Sequence, residues 1–450
     1  MPTTAEWACL TKYSRRMREL ELDLDNESVA SNVLSVLQLR TLNEPLLPNL
    51  KSLVLKEVPV DVIPLIPLFL SPRTTDIEIR FDPDSPTVMV ASMMINLPKL
   101  CPYAQSITLE PLPRDSTITN AASEILLACN PDTLHFFQVD SPLTEEATRV
   151  VFQLQELLGL WVVFTESTSL PKMSLPNLTA LTIEYHRDHD WLQGFHGMTF
   201  SKLTEVIFQA ECQQVGAFLE AFEEFALVTS VSAVLSSFQF YTPCSWNPSY
   251  HSLLTFKQLK ELVLEFSCDN GCSSRTDDEA LIALAEAMPM LEVLRLGDAP
   301  CQVPGNVTVR GLIALARGCP DLSTLRVHFQ PNSMIEELAD ETAQSPQKSY
   351  LPREGCALTC LEVGAIHMSI QHRLPVFLTL LRIFPRLRNI EYIDEGWKWV
   401  ADTIKLSNQI DSFVHHSGKV HRPYLMIYGD IPTASTLDNS PETESAGGTH

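Results

Sequence analysis

"LIALAEAMPMLEVLRLG" runs from Leu281 to Gly297, and "LIALARGCPDLSTLRVH" from Leu312 to His328. Leu281 matches Leu312, Ala285 matches Ala316 and Pro289 matches Pro320. Leu291, Leu294 and Leu296 match Leu322, Leu325 and Val327, each pair 31 residues apart. The first half of each copy has apolar residues at helical spacing among good helix formers. Proline then ends the helix, because it disfavours the α conformation in the residue before it. The second half reads L-x-x-L-x-L, and its end alternates as a strand with one buried face does. Each copy is therefore predicted to be helix, turn, strand.

The strand half recurs along the chain. It begins at Met17, Leu50, Thr74, Ala104, Leu134, Leu157, Leu178, Leu203, Leu235 and Leu259, then in the two copies above, then at Leu358 and Leu387. That makes about fourteen units at roughly 21 to 36 residue intervals, around the range of leucine-rich repeats. One such unit cannot bury both its helix and its strand. Stacking buries both and lays the strands side by side in a parallel sheet. The expected fold is an α/β leucine-rich-repeat solenoid, a horseshoe with a parallel β-sheet on its concave face and helices on its convex face. Residues 1–16 are expected to form an N-terminal capping helix, with Trp7, Leu10, Tyr13 and Met17 at helical spacing to cap the first strand. Residues 17–430 form the solenoid, in which "EGWKWVADTIKL" and "HRPYLMIYGD" supply a last helix and strand. The polar stretch 431–450 is expected to be disordered.

The chain has 450 residues, a net charge of -23, 45% hydrophobic and 19% charged residues. The composition is that of a folded protein. The acidic balance argues against nucleic acid and against anionic membrane. No secretory signal is evident at the start, and the apolar run 58–70 is broken by Pro59, Pro64 and Pro67. A cytoplasmic or nuclear protein with reduced cysteines is expected.

Motifs that carry chemistry are sparse. "HRDHD", His186 to Asp190, offers His186, Asp188 and His189 as metal ligands or as the centre of an enzyme, but a solvated loop after the "LTIEY" strand is the favoured reading. Cys268/Cys272 and Cys356/Cys360 have C-x-x-x-C spacing and stand about three repeats apart, which does not favour a shared zinc. No nucleophile elbow, P-loop, H-E-x-x-H or EF-hand pattern is present. No catalytic residue, cofactor or metal is expected.

"LTKYSRRMRELELD" followed by units such as "ALAEAMPMLEVLRLGD" resembles fungal, basidiomycete-type F-box leucine-rich-repeat proteins over most of the chain. The resemblance implies the substrate-recognition part of a ubiquitin-ligase receptor. In that family an F-box binds the Skp adaptor of a cullin ligase and the repeats hold the substrate. No F-box pattern precedes "KYSRRMREL", so Skp and cullin are expected only if an F-box is supplied upstream; the alternative is a scaffold with no ligase role. For a protein partner on the concave face, strand alternation selects Glu21, Asp23, Lys56, Thr182, Glu184, His186, Gln209, Val263, Glu265, Arg295, Arg326 and His328.

Overall fold

The computed structural model describes residues 3–24, 34, 36–37, 45–164, 175–185, 200–210, 237–242, 250–266, 276–297, 305–329, 356–363 and 368–417. The expected disordered tail, the final strand in "HRPYLMIYGD" and the HRDHD cluster lie outside these residues.

Fourteen strands form one parallel sheet in chain order, β1 to β14. They are β1 (Glu19–Asp23), β2 (Ser52–Val58), β3 (Asp76–Phe81), β4 (Ser106–Glu110), β5 (Phe136–Pro142), β6 (Gly159–Phe164) and β7 (Ala180–Tyr185). Then follow β8 (Glu205–Ala210), β9 (Ser237–Thr242), β10 (Glu261–Phe266), β11 (Val293–Leu296), β12 (Thr324–Arg326), β13 (Cys360–Val363) and β14 (Asn389–Tyr392). Every strand begins two residues after the start of its sequence unit, including the irregular units at Thr74, Leu134 and Leu157. The chain is thus an α/β protein whose topology is compatible with a solenoid-like stack.

A repeated hydrogen-bond device sets the register. Among the described residues, the carbonyl one residue after a unit's first position, just before the strand, accepts two successive amides from the next unit. Arg18 O takes Lys51 N and Ser52 N, Lys51 O takes Thr75 N and Asp76 N, and Glu292 O takes Ser323 N and Thr324 N. The inward residues then line up across strands, as Leu262, Leu294, Leu325, Leu361 and Ile390 do. All five belong to one continuous core. Each such side chain contributes about 1.5–3 kcal/mol by leaving water. In β2 the register slips between Leu55 and Val58, so Lys56 and Glu57 oppose Arg80 alone, with Glu57 at a positive φ of 49°. This is a bulge.

The helices supply the other side of that core. Among the described residues they are α1 (Thr4–Ser14), α2 (Thr87–Leu100), α3 (Ser116–Ala128), α4 (Glu145–Val151), α5 (Asp278–Ala287), α6 (Val309–Gly318), α7 (Arg373–Ile383) and α8 (Lys398–Ser417). Oxygen-bearing side chains start five of them: Thr3 in a capping box with Glu6, then Asp115, Thr144, Asp277 and Thr308. Proline ends four of them in one conformation. Cys101, Met288, Cys319 and Phe384 each precede a proline and sit at φ -129 to -120° and ψ 65 to 78°. Neighbouring helices also touch closely. A Cβ on Gly318 would lie 2.6 Å from the Ala285 carbonyl oxygen, so the end of α6 needs glycine to approach α5.

The N-terminal helix spans Thr4–Ser14; Trp7 and Leu10 are half-buried, Ser14 is buried, and Tyr13 is 57% exposed. Among the described residues, no helix is long and apolar enough to cross a membrane.

Candidate functional site

One face of the sheet is given to the core. The opposite, open face carries the alternate strand residues in rows that follow the register. The middle row runs Glu21, Val54, Glu78, Thr108, Gln138, Trp161, Thr182, Ile207, Gln239, Val263, Arg295, Arg326, Glu362 and Glu391. Carboxylates outnumber cations on this face, and each cation leans on one. Lys56 pairs with Glu21, and Arg80 with Glu78 and Glu110 at 3.0 and 3.3 Å.

Two charged clusters stand out. Towards the C-terminal end, Glu362 on β13 receives two guanidiniums. Arg295 Nε donates to its Oε1 at 2.8 Å, Arg326 Nε donates to its Oε2, and Arg326 Nη1 also donates to Glu265 Oε1 at 2.7 Å. The side chain of Glu362 is 7% exposed and that of Arg326 13%. Beside them Tyr241 Oη donates to Gln239 Oε1 at 2.7 Å. The network is largely desolvated at its centre, around Glu362 and Arg326, while Arg295 and Glu265 stand about a third exposed at its margin, and two carboxylates match two guanidiniums.

The second cluster lies mid-sheet. Arg114, in the β4–α3 connection, donates from Nη2 to Glu184 Oε1 on β7 at 2.8 Å. Asp140 on β5 faces Glu184. Burial, then the negative charge and hydrogen bond of Glu184, push the Asp140 carboxyl up to about 6, against the opposing pull of Arg114 and the Leu112 backbone. Asp115 caps α3 by accepting from Thr117 N at 2.7 Å, and these hydrogen bonds hold its carboxyl below the usual range. Between α3 and the strand ends opens a cavity of about 300 Å³ lined by Arg114, Asp115, Ser116, Thr119, Asp140, Pro142 and Val163. Trp161 stands two residues before Val163 on the same face of β6. Its indole Nε1 is enclosed with no acceptor among the described residues.

The residues selected from sequence fall into three groups. Thr182 and Gln209 are half-buried positions of the open face, and Glu21, Asp23 and Lys56 lie on it near the N-terminal edge. Glu184, Glu265, Arg295 and Arg326 are on the face and bound into the two clusters. Val263 and His328 differ from the expected exposure. Val263 is 1% exposed, between Gln239 and Arg295 in the register, where a short side chain sits below longer neighbours. His328 is 2% exposed. Strand β12 ends at Arg326, so alternation no longer governs it, and its carbonyl packs where a Cβ on Gly305 would meet it at 1.8 Å. His186 lies outside the described residues.

Sequence reading missed Glu362, Asp140, Trp161 and Arg114. The first three were within reach, because alternation in "LTCLEV", "LHFFQVD" and "LLGLWV" places them outward. Arg114 sits in a connection and meets Glu184 70 residues away, which no local pattern marks.

Among the described residues, the buried and half-buried cysteines are poor nucleophiles. Burial pushes Cys101, Cys129 and Cys319 up to about 12, and burial with the nearby Glu391 pushes Cys360 up to about 11. Of the two C-x-x-x-C pairs, Cys268/Cys272 lies outside the described residues. In the other, Cys356 is fully buried, while Cys360 sits on the open face beside Glu391. Among the described residues, no group of three or more His, Cys, Asp or Glu is arranged to hold a metal ion.

No protein-family model matches this chain, and no curated protein matches it.

Proposed function

We propose that this chain is a protein-interaction module: a leucine-rich-repeat horseshoe that binds a protein partner on its concave strand face. The observation that carries the reading is the open face itself. Among the described residues, the face of the fourteen strands opposite the helices bears polar and aromatic side chains, and its charged ones are mostly acidic. Repeat stacks offer such extended surfaces for binding. The acidity of that face favours a partner with basic groups, since complementary charge steers encounter and selects partners. By the resemblance noted above, the partner is the substrate of an F-box type ubiquitin ligase in the cytoplasm or nucleus, with Skp and cullin joining through an F-box. A scaffold with no ligase role is the alternative.

We assign no catalytic role. Asp140, in the wall of the cavity, and Glu184 beside it form a carboxyl pair, which invites comparison with carboxylate hydrolases. However, their side chains hydrogen-bond to each other. A glycoside-cleaving pair is separated by about 5 Å or more, so that substrate or water fits between the groups.

The test is site-specific photo-crosslinking in cells. A photoreactive residue at Thr182 or Gln209 is expected to capture a protein, and one at Glu124 or Leu127 on the helical side is expected not to. Capture from the helical side alone overturns the proposal. Scoring the captured material for the Skp adaptor separates receptor from scaffold.

A further inference from the structure

Resting on the interaction reading above, we propose that the cavity between the start of α3 and the ends of β5 and β6 is a socket for one basic side chain, arginine or lysine, of the protein partner. Its size suits the end of a long side chain rather than a whole peptide, since about 300 Å³ is the lower end of the range for ligand clefts. Its walls are amphipathic in the way such a side chain needs. Pro142, Val163 and the methyl of Thr119 can cover an aliphatic stem, while Asp140 and Asp115 meet the charged tip.

The charge arrangement selects a cation. The cluster holds three carboxyl groups, Asp115, Asp140 and Glu184, against one guanidinium, and that guanidinium is already committed to Glu184. The start of α3 is not free for an anion, because the Asp115 carboxylate occupies its amide at Thr117. When the cavity is empty, burial and the neighbouring Glu184 favour a proton on Asp140. A guanidinium or ammonium placed against Asp140 offsets the same repulsion without the proton. Binding therefore releases a proton, and it weakens as the pH falls through about 6. The groups facing Asp140 are Glu184 from β7 and Arg114 and Asp115 from the β4–α3 connection. The next carboxylate, Glu110, is held by Arg80 and by Gln138 Nε2 at 2.9 Å.

The experiment is saturation-transfer NMR on the full chain with four probes: the N-acetyl methylamides of arginine, lysine, norleucine and glutamate. The arginine or lysine probe is expected to bind at least fivefold more tightly than norleucine, with no glutamate binding. Its affinity is expected to fall about tenfold between pH 7.5 and pH 5.0, the change for one carboxylate titrating near 6. Binding is expected to vanish in Asp140→Asn/Glu184→Gln. It is also expected to vanish in Thr119→Phe, which fills the cavity and leaves the carboxylates intact. Equal norleucine binding, preferred glutamate binding, a flat pH response of the native chain, or retained binding in either folded variant overturns the proposal. If the native chain binds no probe while crosslinkers at Thr182 or Gln209 still capture a protein, the socket is refuted and the interaction reading stands.

Discussion

Glu362 shows how much can rest on one side chain. It is the shared acceptor of Arg295 and Arg326, and those residues come from two other strands. Replacing it with Gln leaves two guanidiniums facing a neutral amide in a largely desolvated site. The expected cost is about 3 kcal/mol, the scale for breaking a buried ion pair. Denaturant unfolding checks this, and a loss no larger than that of the solvent-exposed Lys260–Glu292 pair refutes it. Asp140 behaves oppositely. Its folded carboxyl titrates near 6, above the unfolded value of about 3.9. The folded state therefore binds more protons between those values. Its stabilising effect is complete below about pH 4 and is lost as the pH rises through 6. Asp140→Asn is expected to raise the melting temperature at pH 8 and to leave it nearly unchanged at pH 4. A gain at pH 4 with none at pH 8 contradicts the assignment.

Among elements, the start of α6 is built by its neighbour as much as by its own cap. Thr308 caps the helix, and Asp278 of α5 accepts from Thr308 N at 2.8 Å, Thr308 Oγ1 at 2.6 Å and Gly311 N at 3.0 Å. Asp278→Ala therefore removes a bond between units as well as a helix-end acceptor. The expected cost is about 1–2 kcal/mol, the scale of a lost cap. Hydrogen exchange at Thr308 and Gly311 should quicken, and unchanged exchange there refutes the role. The strands and the prolines that end helices were legible in sequence, because L-x-x-L-x-L states both a period and a buried side. Even the irregular "TTDIEI" became β3 in register with its neighbours. The sites were legible only in part. Alternation put Glu265, Arg295 and Arg326 on one face, but it does not say which of them meet. Arg326 reaches Glu265 across 61 residues and Arg295 reaches Glu362 across 67. Such partners follow from the lateral register of whole units. Alternation also fails where a strand stops, as at His328, and where a side chain is too short for its neighbours, as at Val263.

At the scale of the whole molecule, stability is expected to be shared between nearest neighbours, because each strand pairs with the units on either side of it in chain order. Leu294 tests this. It is fully buried in β11 and aligned with Leu262 and Leu325. Leu294→Ala is expected to cost about 2–5 kcal/mol, as deletion of a buried leucine side chain usually does. A single compact core spreads such a loss over every slowly exchanging amide, since all of them open through one global transition. A stack of units confines it. Protection should fall most at β11, less at β10 and β12, and hardly at all at β2 to β4, whose interfaces the mutation does not touch. Hydrogen exchange resolved along the chain distinguishes these patterns. Uniform loss from β2 to β14 contradicts nearest-neighbour coupling. A total effect within about 0.5 kcal/mol, the range of a surface site, contradicts the core position of Leu294. A graded profile also bears on binding. A partner lying across several strands ties neighbouring units together, so the protection it adds should extend along the strand row beyond the residues it touches.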